Sequence, residues 1–171
     1  MMKAMTLILA LTTPSFAEDA MTLNPDWTFQ ADTVMGGVSS GQVTQEVIAG
    51  RDATRLTGDV SLENNGGFVQ MNFDVEADLS DAQGVEFDVY GNGEQYDLRA
   101  RTDALTRPWQ SFRYGFDAPA QWTTIRVPFD ALEPNRTDAA FDKSGLRRLG
   151  IIAVGREMRA DVAVSGLRFY E

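Results

Sequence analysis

Residues 84–101 read GVEFDVYGNGEQYDLRAR, two runs of strict alternation on either side of Gly91-Asn92-Gly93. In the first run Val85, Phe87 and Val89 share one face, and Glu86, Asp88 and Tyr90 share the other. In the second, Tyr96, Leu98 and Ala100 oppose Asp97, Arg99 and Arg101. A period of two with one apolar face is the pattern of a strand with one side buried. The glycines and asparagine between the runs predict a hairpin, which would set Glu86, Asp88 and Tyr90 across from Asp97, Arg99 and Arg101.

The same period runs outward in both directions. FVQMNFDV (68–75) places Val69, Met71, Phe73 and Val75 on one face. FRYGF (112–116), TIRVPF (124–129) and DVAVSGLRFYE (161–171) alternate likewise, while LGIIAVG (149–155) is apolar on both faces, as a central strand is. Turn signals at Asn64-Asn65-Gly66-Gly67, Ala118-Pro119 and Glu133-Pro134-Asn135 separate the runs, leaving no room for crossover helices. Many short strands so spaced predict one all-β domain, an antiparallel sandwich or barrel, over residues 18–171.

Residues 1–17 have the layout of a secretory signal peptide. Lys3 precedes an apolar run from Ala4 to Leu11, and Ser15 and Ala17 stand at −3 and −1 of the expected cut. Removing them leaves 154 of the 171 residues and changes the net charge from −10 to −11, since Lys3 is the only charge lost. The expected location is the periplasm, taking the source as bacterial. So acidic a chain argues against nucleic-acid binding, which needs a basic patch. There is no Cys to form a disulfide, and no His. Without His the chain lacks the usual neutral-pH general base, the Ser-His-Asp triad and the commonest zinc ligand. No cofactor is expected; calcium ligands of the D-x-D-x-D-G type are absent, so no metal is expected either.

Two glycine-bearing stretches stand out, DTVMGGVSSG (32–41) and LTGDVSLENNGGFVQ (56–70). The first lacks a P-loop lysine and the G-x-G-x-x-G spacing. It reads as a tight turn in which Gly36 and Gly37 take angles closed to other residues and let Met35 and Val38 tuck into the core. The alternative is the lip of a binding site including Asp32. In the second stretch Gly66 and Gly67 read as turn residues, and Asn64 and Asn65 either serve the turn or offer amides to a ligand. Arg99 and Arg101, with Tyr90 and the loop residue Trp109, form the other candidate surface, for a carboxylate, sugar or peptide; cross-strand charge pairing is its structural alternative. Arginine outnumbers lysine thirteen to two, which suits planar bidentate contacts.

In order, Trp27, DTVMGGVSSG, LTGDVSLENNGGFVQ, GVEFDVYGNGEQYDLRAR, Trp122 ahead of IRVPF, and LRFYE resemble the complex I intermediate-associated protein family of thirty-kilodalton type, across residues 27–170. The resemblance implies a galactose-binding-like jelly-roll sandwich, the fold also used by many carbohydrate-binding modules. It also implies an assembly factor or chaperone for NADH:ubiquinone oxidoreductase with no catalytic activity. Mitochondrial members work on the matrix side, which corresponds to the bacterial cytoplasm, whereas an export signal directs this chain to the opposite side. The expectation is thus a non-catalytic module that binds a respiratory-complex or envelope protein, or alternatively an exported carbohydrate-binding module. An exposed apolar patch would favour the protein partner, and an aromatic-lined groove the glycan. A His-free hydrolase would require a pocket with a buried carboxylate of raised pKa.

Overall fold

Every alternating run forms a strand, and the computed structural model describes residues 21–171. In chain order the strands are β1 (Met21–Thr22), β2 (Thr28–Ala31), β3 (Ser40–Ile48), β4 (Arg51–Val60), β5 (Phe68–Asp74) and β6 (Gly84–Gly91). They continue with β7 (Gln95–Thr102), β8 (Ser111–Asp117), β9 (Thr123–Pro128), β10 (Glu133–Asn135), β11 (Leu146–Val154) and β12 (Met158–Tyr170). They make two antiparallel sheets in a jelly-roll sandwich. The first runs β3-β4-β12-β6-β9 with β1 added along β12; the second runs β10-β8-β7-β11-β5-β2. The signal-peptide expectation for residues 1–17 lies outside the described residues.

The apolar faces read from the sequence meet between the sheets. Val85, Phe87 and Val89 of β6 are fully enclosed, as are Val69 and Met71 of β5, Leu98 of β7 and Phe112 of β8. Phe87 and Phe116, from opposite sheets, pack edge to face with centroids 5.4 Å apart. Burying side chains of this size stabilises the fold by about 1.5–3 kcal/mol each. β11 sits between β7 and β5, and its outward Ile152 is only 7% exposed, which explains why that run is apolar on both faces.

The expected β6–β7 hairpin does not form. β6 pairs with β12 and β9, whereas β7 pairs with β8 and β11. Gly91-Asn92-Gly93 is a corner that carries the chain from one sheet to the other. Its amides bind the neighbouring loop, from Gly91 to the Pro119 carbonyl and from Gly93 to the Ala118 carbonyl, both at 2.8 Å. A Cβ on Gly91 would lie 2.5 Å from the Ala118 side chain and carbonyl, so only glycine allows this approach. The Asn92 amide donates to the Arg159 carbonyl at 2.8 Å and accepts from the Tyr96 hydroxyl at 2.8 Å. The corner is thus tied to its surroundings rather than closed on itself.

Candidate functional site

The two glycine stretches form one unit. β2 ends at Ala31, and Asp32–Met35 make a 3₁₀ turn closed by Gly36 at φ 91°. The Asp32 side chain points inward and is completely enclosed. Its Oδ1 accepts from the Ser39 amide at 3.0 Å, and its Oδ2 from the Gly67 amide at 2.6 Å, the Phe68 amide at 3.2 Å and the Ser39 hydroxyl. The Ser61 amide donates to Ser39 Oγ at 2.9 Å, extending the network to the end of β4. Burial by itself would raise the Asp32 pKa, but the hydrogen bonds led by Gly67 outweigh it and hold the carboxyl below its ordinary value.

The glycines are of two kinds. Gly36 needs its left-handed angle and has open space around it. Gly37 and Gly66 instead make room for the carboxylate, since a Cβ there would fall 2.3 Å from Oδ1 and 2.5 Å from Oδ2 of Asp32 respectively. Gly67 combines a φ of 129° with a tight site, where a Cβ would come 3.0 Å from the Leu62 side chain. Asp32 is therefore an internal staple between loops, not a residue of a binding lip. Its lowered pKa is also the opposite of what a His-free hydrolase would need from its buried carboxylate.

Met35 and Val38 do not enter the core as expected. The staple occupies the interior, so the apolar side chains of the turn project outward. Val34 is 67% exposed, Met35 63%, Val38 46%, and Leu62 on the adjoining loop 47%. Asn64 and Asn65 flank them, both exposed and both in left-handed conformation at φ 55° and 57°. The result is an apolar knuckle over a hydrogen-bonded polar base, with Asn64 and Asn65 on the loop that carries Leu62.

Arg99, Arg101 and Trp109 lie elsewhere, on the outward face of the second sheet or its border. Arg99 donates to Asp97 Oδ2 at 2.8 Å and to Ser111 Oγ at 3.0 Å. Arg101 grips the 107–110 loop, its Nη1 donating to the Arg107 and Pro108 carbonyls at 3.0 Å and to the Gln110 carbonyl. Burial, then the charge of facing Arg148, lowers its pKa. Trp109, 55% exposed, rides on the loop that Arg101 holds.

Strand register puts Gln70, Asn72 and Asp74 of β5, Gly150 and Arg148 of β11, and Gly115 and Arg113 of β8 on this same face. The Gln70 amide donates to Gln30 Oε1 at 2.6 Å. Gln30, Asn72, Asp74 and Arg148 line a groove of about 480 Å³. Alternation marked Gln70, Asn72 and Arg113 as outward, but nothing in the sequence placed β5, β7, β8 and β11 side by side.

Tyr90 is separated from Arg99 and Arg101 by the sheet change, and lies on the outward face of the first sheet. It packs edge to face on Trp122, centroids 5.7 Å apart, with the Arg51 guanidinium 5.0 Å from the indole. Around it the charges are paired. Glu86 binds Arg126 at 3.0 Å and also Arg168; Asp88 binds Arg51 at 3.1 Å; Asp161 binds Arg55 at 2.8 Å. Cross-strand ion pairing therefore occupies Glu86 and Asp88, with partners from β9, β12 and β4 rather than β7.

Among the described residues no group of His, Cys, Asp and Glu is arranged to hold a metal. Among the same residues no helix is long and apolar enough to cross a membrane. Two antiparallel sheets packed face to face in this order place the chain in the class of jelly-roll β-sandwiches. Residues 15–161 match complex I intermediate-associated protein 30 (CIA30), and the chain belongs to that family.

Comparison with curated proteins gave no match. Among solved structures, the chain is similar to the family 11 carbohydrate-binding module of a cellulosomal cellulase of Clostridium thermocellum, with TM-score 0.73 and 10% identity over 90% of this chain and 95% of that one. A family 11 carbohydrate-binding module from Clostridium thermocellum in complex with a β-1,3-1,4-mixed-linked tetrasaccharide matches at TM-score 0.70 and 10% identity, over 88% and 95%. A family 30 module from a Clostridium thermocellum cellulosomal cellulase matches at TM-score 0.57 and 15% identity, over 90% and 92%. At these identities the likeness is one of fold.

Proposed function

We propose that the protein is a non-catalytic interaction factor of the complex I intermediate-associated type, exported with residues 1–17 removed, which docks on a respiratory-complex or envelope protein. The observation carrying this reading is the apolar knuckle. Four of the six large apolar side chains exposed among the described residues, Val34, Met35, Val38 and Leu62, sit on the two loops joined by Asp32. A hydrogen-bonded base with projecting apolar side chains loses little conformational entropy on docking. Clustered exposed apolar surface marks contact sites.

The test compares a tagged parent chain with Met35→Asp and Val34→Asp by fractionation and co-purification. The expected result is periplasmic recovery, and a partner that is retained by the parent and lost by both variants while their melting temperatures stay within about 1 °C of the parent. Equal recovery of that partner with parent and variants refutes the knuckle as the docking site.

The outward face of the second sheet supports a second reading, a glycan-binding module. Its amides and guanidinium groups are suited to sugar hydroxyls. Titration with soluble oligosaccharides tests it independently of the knuckle variants.

A further inference from the structure

Strand register places arginines opposite each other twice on the second sheet. Arg99 of β7 faces Arg113 of β8, and Arg101 of β7 faces Arg148 of β11. Like charges directly opposite in a sheet are destabilising. One member of each couple is neutralised, Arg99 by Asp97 and Arg148 by Asp74, both at 2.8 Å. The other members have no carboxylate partner among the described residues. Arg101 spends one nitrogen on loop carbonyls, and Arg113 is exposed, with Glu133 beside it in register but not ion-paired. The adjoining outward positions on β5 carry Gln70 and Asn72, and Gly150 between Arg99 and Asn72 leaves the floor bare.

We propose that this face binds an oligosaccharide containing uronic acid, with Arg113 and Arg101 taking the carboxylates and the partly exposed Gln70 amide the hydroxyls. This rests on the glycan reading of the face and adds the charge of the ligand. A guanidinium fork matches a carboxylate in two parallel hydrogen bonds, and amides donate and accept as vicinal hydroxyls require. A neutral glucan brings no carboxylate to Arg101 and Arg113. A peptide finds few apolar contacts here, because the outward Ile152 is nearly buried.

The experiment is calorimetric titration of the full chain with oligogalacturonate, oligomannuronate and a neutral mixed-linkage β-glucan tetrasaccharide, at low and at physiological salt. The expected result is binding of at least one uronate about tenfold or more tighter than the neutral sugar, weakening as salt rises. Arg113→Gln, at an exposed position, should weaken uronate binding by about tenfold with unchanged melting. Neutral sugar bound as well as uronate, or uronate affinity indifferent to Arg113→Gln, overturns the inference and leaves the glycan reading standing. Binding of none of the three sugars removes both.

Discussion

Asp32→Asn keeps the shape of the side chain and removes its charge, and it should be among the most damaging conservative changes available to this protein. In the parent, both carboxylate oxygens only accept, from Ser39 on one side and from Ser39, Gly67 and Phe68 on the other. An amide must turn its NH₂ toward one side. Even in the better orientation, with NH₂ at the Oδ1 position, it faces the Ser39 N–H donor to donor. One buried donor left unpaired costs about 1–3 kcal/mol. The remaining bonds lose their charge assistance, each bond to a charged group being worth about 1.5–3 kcal/mol against about 0.5–1.5 for a neutral one. Relief from burying a charge returns part of this, leaving a loss of about 3 kcal/mol. For a domain of this size that lowers Tm by about 6–12 °C.

The assay is thermal and urea unfolding of parent and variant at pH 7, repeated down to pH 3. Because the folded-state pKa of Asp32 is lowered, the unfolded chain binds the proton more readily. Its contribution is therefore complete well above the ordinary value of about 3.9, and is lost as pH falls through the folded-state pKa. The gap between parent and variant should narrow toward pH 3. Asp78 and Asp142, whose pKa values are lowered by hydrogen bonds from Ser80 and Ser144, affect both proteins alike and cancel in the difference. A Tm loss under about 3 °C at pH 7, or a gap that does not change with pH, refutes the staple.

The glycines around the staple should separate by mechanism. Gly36→Ala meets open space and bears only left-handed strain, about 1–2 kcal/mol, whereas Gly66→Ala drives a methyl into the carboxylate and should melt markedly lower; equal losses would contradict this division. The Tyr96 hydroxyl donates to Asn92 and accepts from the Asp161 amide at 2.9 Å, so Tyr96→Phe should cost about 1–3 kcal/mol by urea unfolding. In the parent, burial pushes the Tyr96 phenol up to about 12, and a spectrophotometric titration should show one tyrosine ionising late, absent from that variant. Arg101→Ala releases three loop carbonyls, so amide exchange of residues 107–110 should speed up while the strands stay protected, as hydrogen-exchange mass spectrometry would show.

Some of this was written in the local sequence. The inward sets on β5, β6, β7 and β8 followed from alternation, because side chains of a strand point to opposite faces with a period of two whatever the strand's neighbours are. The left-handed angles at Gly36, Asn64 and Asn65 followed from residue type. The family followed from motif order along the chain. Which strands are neighbours was not written there. The Gly91-Asn92-Gly93 corner has the composition of a hairpin and became a sheet crossing because its amides bind residues 118–119. That separated Tyr90 from Arg99 and Arg101, and brought Arg113 and Arg148 to the arginines of β7 instead. The role of Asp32 was equally hidden, since its carboxylate meets the Gly67 amide across 35 residues of chain. Once the carboxylate fills the interior, the apolar side chains beside it turn outward. Periodicity is a property of a few consecutive residues, while sheet order and the partners of a buried charge are set by packing between distant segments, and only the folded chain contains those contacts.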